Sequence, residues 1–376
     1  MAGSARTLEL GVFIPVGNGG WITSTNSPQL PATYEYNKQV TLLAEKLGLD
    51  FALSMAKWRG YGGETNHWDV TLESITTMAG LAEATQRIKI WGTVHMMIFP
   101  PAIVAKMSAT LDQISGGRFG LNLVSGSNPY DLSQMGLWKD LNHGQRYDLG
   151  EEWIKVVRRL WTEDRVDHKG TYFELNDCMS YPKPSRHPTI ICAGQSDRGF
   201  RFTVENCDVA FFWGSDDPAS IKRALRAKEI AREMNKPDFK TNALVTLIPG
   251  RTDEEAQARL DHYNAGVDKI ALATQAVEYS TDVSVTINQA AQNFLKQNET
   301  FSAVLPGTMA GSPETLAKRL AYLVNEGDID SVTLIVPDFI GDLETVGREV
   351  TPLLRKYGIE TFAASKAASV EEEAAR

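Results

Sequence analysis

The chain has little cysteine: Cys178, Cys192 and Cys207 are the only three among 376 residues. An odd, widely spaced set gives no disulfide frame and no CxxC metal knuckle, so reduced thiols in a cytoplasmic protein are expected. The six histidines (His67, His95, His143, His168, His187, His262) show neither HExxH nor paired spacing, and no metal site is expected from them. Basic residues are in the minority, 38 Lys and Arg against 47 Asp and Glu. The net charge of −9, with no Lys/Arg cluster, argues against general nucleic-acid binding. No apolar run approaches the ~18 residues of a membrane span, and the opening MAGSARTLEL lacks the apolar core of a signal peptide. Nucleotide fingerprints are missing too. No GxGxxG follows the first strand, no GxxxxGK[ST] loop is present, and no GxSxG elbow supports a serine hydrolase.

What is present is an ordinary globular composition, 43% hydrophobic and 23% charged. Apolar runs at Leu8–Ile14, Phe51–Met55, Ile88–Thr93, Arg118–Val124, Thr189–Ala193, Cys207–Trp213, Thr241–Ile248 and Ser331–Pro337 read as eight strands. Segments of helical period lie between them: Val40, Leu43, Ala44 and Leu47; Leu72–Thr85; Pro101–Ile114; and Leu149, Trp153, Val156, Val157 and Leu160. A further helix starts at Pro313, and Leu343–Tyr357 closes the series. Strand–helix alternation demands parallel pairing, and eight strands favour a closed (β/α)8 TIM barrel, an α/β fold. The length exceeds the ~250 residues of a plain barrel. The surplus sits in two stretches that break the alternation, a hairpin-like insertion near 165–179 and a polar, partly helical one near 265–303. One domain over 1–362 with a loose tail at 363–376 is expected.

The join from helix to strand at SGGR, residues 115–118, needs an unusual backbone at Gly116 and Gly117. Small polar groups then recur at strand ends: Ala56-Lys57, Thr93, Asn122 with Ser125-Gly126, and Gly194-Gln195-Ser196. Arg146-Tyr147 opens a helix, where a guanidinium and a phenol can grip a phosphate. Carboxyl ends of barrel strands share one face, and that face carries the chemistry of such folds. With no metal, nucleophile or carboxylate pair evident, a bound organic cofactor is expected to carry the reaction.

The stretches GVFIPVGNGGWITST (11–25), DFALSMAKWRGYGG (50–63), FPPAIVAKMSAT with LDQISGGRFGLNLVSG (99–126), QMGLW (134–138), RRLW (158–161) and ICAGQSDRGF (191–200) carry a resemblance. So do GTMAGSPETLAKRL and VPDFIGDLETVGREV near the end. Together they resemble the bacterial luciferase-like superfamily of flavin-dependent barrels over roughly residues 8–357. Within it they are most similar to the pyrimidine-monooxygenase branch. The resemblance implies a two-component monooxygenase using reduced FMN and O2, with NADH or NADPH spent by a separate flavin reductase. It implies oxidative cleavage of a cyclic amide such as a pyrimidine, and a homo-oligomer, dimer or tetramer. FMN contacts would be Ala56, Lys57, Asn122, Asp131, Arg146, Tyr147 and Ser196. Thr93 and Asn122 would handle oxygen near the flavin N5, as donors placed before negative charge develops.

Three departures from the family pattern matter. Asp131 stands where the family has Glu, and the family's TGW reads Ser125-Gly126-Ser127. Trp91 and His95, with Met96 and Met97, also differ. Trp91, His95 and Ser127 are therefore expected to line and reshape the substrate pocket. A monooxygenase acting on a sulfone, an alkanesulfonate or a haloaromatic shares the same flavin residues and stays open as an alternative. A deazaflavin-dependent dehydrogenase and a non-catalytic flavin-binding barrel are the remaining ones.

Overall fold

A computed structural model describes residues 6–126, 129–194, 196–213, 216–278, 287–298 and 300–362. In it the eight apolar runs become eight parallel strands: Arg6–Phe13, Phe51–Leu53, Lys89–His95, Phe119–Val124, Thr189–Cys192, Val209–Phe212, Lys240–Pro249 and Ser331–Ile335. Each pairs with the next in chain order, and the eighth returns to the first through Glu9↔Ser331, closing the barrel. Two short strands extend this sheet, Met309–Gly311 on the seventh barrel strand and Ile359–Thr361 on the first. The closed (β/α)8 barrel read from the sequence is what forms.

Side chains alternate along each strand, so one set of residues fills the interior. Gly11 is required there, since a Cβ on it would lie 2.1 Å from the Phe51 ring. That ring occupies the space and stacks on Trp91, with centroids 4.0 Å apart. At the amino-terminal end Glu9 accepts hydrogen bonds from Lys89 and Lys240, each at 2.7 Å.

The outer helices bury the faces their periodicity predicts. Helix His143–Thr162 buries Leu149, Trp153, Val156, Val157 and Leu160, and the Trp153 indole donates to the Phe99 carbonyl. Helix Pro101–Ser115 ends at Gly116 in the left-handed conformation, φ 61, followed by Gly117 at φ 81. Arg118 then enters the strand while its guanidinium donates to the carbonyls of Ala82, Thr85 and Ile88. It thereby caps the end of helix Ser74–Ala84, where carbonyls otherwise lack partners.

Two of the elements that depart from the sequence reading have the clearest form. Asp197–Asn206 is a helix after the fifth strand that the apolar pattern did not single out. The closing run is not one regular helix. It passes from α (Gly341–Thr345) through a π turn (Val346–Val350) to a 3-10 segment (Thr351–Tyr357). Pro352 is the physical reason: it has no N–H to give, and its ring crowds the carbonyl four residues back.

The two extra stretches have distinct forms. Val166–Lys169 and Glu174–Cys178 pair antiparallel, pinned by Glu152, which accepts N–H groups of Thr171, Tyr172 and Phe173. Helices Asp253–Ala265, Lys269–Glu278 and Ile287–Gln297 follow the seventh strand. Backbone bonds Thr23 N to Ala303 O (2.9 Å) and Thr25 N to Gly266 O (2.8 Å) tie this region to the loop after the first strand. Asp268 ties it to the loop after the second, accepting from Thr65 N and Thr65 Oγ1, both at 2.8 Å. The expected tail at 363–376 lies outside the described residues.

Candidate active site

The carboxyl ends of the strands, the two loops and the helical insertion enclose a cavity of about 830 Å³. Two helix N-termini meet at one part of its wall. Asn142 caps helix His143–Thr162 in a reciprocal arrangement with Gln145, and Ser196 caps helix Asp197–Asn206 by accepting from Gly199 N at 3.0 Å. The first turn of the longer helix therefore presents His143, Arg146 and Tyr147 beside Ser196, and all four line the cavity. His143 Nε2 lies 3.3 Å from Ser196 Oγ. Burial holds the Tyr147 hydroxyl above its ordinary range, within hydrogen-bond reach of Ser196 and Ser125. Arg146 is buried and, among the described residues, gives one bond, to Leu141 O at 2.8 Å, which leaves most of its guanidinium donors for a guest. A cation, a phenol and two positive helix ends suit a phosphate.

Thr93 and Asn122 sit side by side because their strands pair in that register. Asn122 Nδ2 donates to Thr93 Oγ1 at 3.0 Å, and the Thr93 hydroxyl in turn donates to the Ser54 carbonyl. Thr93 N donates to Ser74 Oγ at 2.8 Å, fixing strand and helix together. The Thr93 proton is thus already committed, and the second Nδ2 proton of Asn122 has no acceptor among the described residues. Asn122 Oδ1 has no partner among the described residues.

Lys57, Asp131 and Glu278 form a buried charge cluster. Lys57 Nζ is paired with Glu278 Oε1, lies 3.5 Å from Asp131 Oδ2 and stands 4.7 Å over the Tyr61 ring. Burial pushes the Glu278 carboxyl above its usual range; Lys57 pulls it back, and the Asp131 charge pushes it further up.

Ala56, Lys57, Thr93, His95, Asn122, Arg146, Tyr147 and Ser196 all line the cavity. Burial lowers the His95 pKa; its Nε2 is 3.3 Å from Ala56 O and its Nδ1 lacks a partner among the described residues. Two expected residues sit elsewhere. Asp131 is fully buried behind Lys57, its carboxylate receiving the Trp58 N–H at 3.2 Å, so it braces the wall and is not part of it. Trp91 points inward one step deeper than Thr93 and packs on Phe51 in the barrel interior, away from the pocket. Ser127 lies outside the described residues. Sequence reasoning missed Glu278 and a block of aromatic lining, Phe13, Trp21, Tyr61, His67, Trp68 and Trp213. The tryptophans and glycines of residues 17–21 and 58–68 were the available signal.

A closed barrel whose strand ends bring a cation, a phenol and two helix N-termini beside the paired Thr93 and Asn122 suits an enzyme that works through a bound organic cofactor. The cavity, the Arg146 donors and the Asn122 Oδ1, without partners among the described residues, fit a flavin. Residues 8–329 match the family of luciferase-like monooxygenases. The pyrimidine monooxygenase RutA of Methylorubrum extorquens is 42% identical over 353 residues, 93% of this chain and 96% of the relative. RutA of Enterobacter sp. is 41% identical over 352 residues, 92% and 96% of the two chains. A crystal structure of long-chain alkane monooxygenase LadA shares the fold, with TM-score 0.80 at 21% identity over 94% of this chain and 92% of that one. The chain belongs to the luciferase-like monooxygenase family and is a flavin-dependent monooxygenase.

Proposed function

We propose that the enzyme takes reduced FMN from a separate NAD(P)H-dependent flavin reductase and uses O2 to open the ring of a cyclic amide of the pyrimidine class, in the cytoplasm and as a homo-oligomer. The observation that carries this reading is the union, in one cavity, of the Arg146–Tyr147–Ser196 phosphate grip, the Thr93–Asn122 pair and an aromatic lining. Bound flavin supplies the electrons that activate oxygen. Arg146, Tyr147 and Ser196 would hold its phosphate, and Lys57 and Asn122 its ring system. The names of the RutA relatives support a pyrimidine as substrate.

The test is turnover of uracil, thymine and barbiturate with FMN, a flavin reductase, NADH and ¹⁸O2, read by mass spectrometry. Ring-opened product carrying one heavy atom is expected. Activity confined to sulfones, alkanesulfonates or haloarenes would retire the cyclic-amide substrate and leave the enzyme class standing.

A second measurement concerns the cofactor itself. Arg146→Ala is expected to weaken FMN binding by ~1.5–3 kcal/mol, the worth of a charge-assisted bond. An unchanged titration curve would remove Arg146 from the phosphate site.

A further inference from the structure

Away from the phosphate grip, the cavity wall is built from fixed aromatic rings. Phe13 packs on Trp21 at 4.1 Å between centroids, Trp21 meets Trp68 edge-on at 5.0 Å, and Trp213 lies 5.8 Å from Trp21. Two of the indole N–H groups are spent on the backbone, Trp21 Nε1 on Phe13 O at 3.1 Å and Trp68 Nε1 on Gly20 O at 2.6 Å. These rings offer faces and carbon edges, which suits a flat ring and gives it no orientation.

Among these rings stand two polar side chains that can orient it, Thr23 and His67. Thr23 Oγ1 lies 3.4 Å from His67 Nε2, and both side chains line the cavity. The His67 ring is stacked with Tyr61 on the one hand and Trp68 on the other, at 6.2 and 4.9 Å between centroids. Its backbone bonds to Gly62 and Tyr61 close a tight loop in which Asn66 and Trp68 take left-handed φ of 48 and 59. Strain of that kind persists only where the surroundings enforce it. Here Asp268 does so through Thr65, while Thr23 is tied to Ala303. Burial pushes the His67 pKa down to about 4, so the imidazole is neutral at working pH and offers one donor and one acceptor.

We propose that Thr23, oriented by His67, reads the adjacent C=O and N–H of a heterocycle held against Trp21, Trp68 and Trp213. A hydroxyl can donate to the carbonyl and accept from the N–H, the two functions an amide edge requires. Thr23 is then the residue that sets specificity, and His67 is its positioning residue. The inference rests on the cyclic-amide reading and adds which edge of the ring is recognised and by what.

The experiment compares uracil, thymine and barbiturate with their N-methylated counterparts in the FMN-loaded enzyme, for wild type, Thr23→Val, Thr23→Ser and His67→Gln. Wild type is expected to favour the unmethylated rings in kcat/KM. Thr23→Val should raise KM for them at least tenfold and erase that preference, with FMN affinity unchanged. Thr23→Ser should restore the preference. His67→Gln, which keeps a polar atom near Thr23 Oγ1, should retain part of it. A Thr23→Val enzyme with wild-type KM and wild-type discrimination overturns this inference alone. Wild type that turns over none of the three rings overturns it together with the reading on which it stands.

Discussion

Lys57→Met is expected to destabilise the protein by ~3–5 kcal/mol, because it strips the cation from two carboxylates that remain out of water. Lys57, Asp131 and Glu278 have side chains only 4%, 0% and 1% exposed. The Trp58 N–H on Asp131 softens that burden without neutralising it. The pH dependence gives the test its direction. Glu278 already has a raised pKa in the folded chain, and losing Lys57 removes an influence that lowers it. A carboxyl raised above its unfolded value contributes stability below that value and loses it as pH rises through the folded pKa. The deficit of Lys57→Met should therefore be largest at alkaline pH and shrink on acidification, as Glu278 takes up a proton. Urea unfolding at pH 8 and pH 5.5 measures this, and Glu278→Gln in the same background should recover part of the loss. A deficit below ~1 kcal/mol with no pH dependence would reduce the cluster to the level of a surface ion pair.

The barrel was legible because each strand is a compact apolar run and each helix keeps its period, as Leu149 to Leu160 show on one buried face. The Gly116-Gly117 stop was legible because its left-handed backbone is one that glycine adopts readily. Strand periodicity, however, gives the face of a residue and not its depth. Trp91 and Thr93 share the inward face of one strand, yet Thr93 reaches the cavity while Trp91 is stacked on Phe51 beneath it. Asp131 was placed at the flavin by analogy with a longer Glu, and the shorter side chain is engaged behind Lys57. Glu278 was not legible at all. It sits in a polar insertion 221 residues from Lys57, and no local pattern links two such distant loops. Thr23 and His67 were hidden for the same reason, since they come together only because the insertion staples both loops in place.

Asn122→Leu is expected to lower coupled turnover by ~10²–10³, equivalent to ~2.7–4 kcal/mol, the usual cost of removing one preorganised donor from the site of developing charge. The geometry singles out Asn122 over Thr93. The Thr93 hydroxyl gives its proton to Ser54 O and receives one from Asn122 Nδ2, so the hydrogen still without an acceptor among the described residues belongs to the amide. Thr93 then acts chiefly by holding that amide in place. Thr93→Val should consequently cost less than Asn122→Leu, although the sequence alone made the two equal partners. Leucine is close to asparagine in size, so FMN affinity should fall far less than the rate. Oxygen consumption and product formation, followed together with a saturating reductase, separate the possibilities. Asn122→Leu should keep consuming oxygen while little of it reaches product. If Thr93→Val proves the more damaging, the hydroxyl must turn away from Ser54 during the reaction and Thr93 becomes the donor. If both variants couple as wild type does, neither residue stabilises the charge that forms on oxygen.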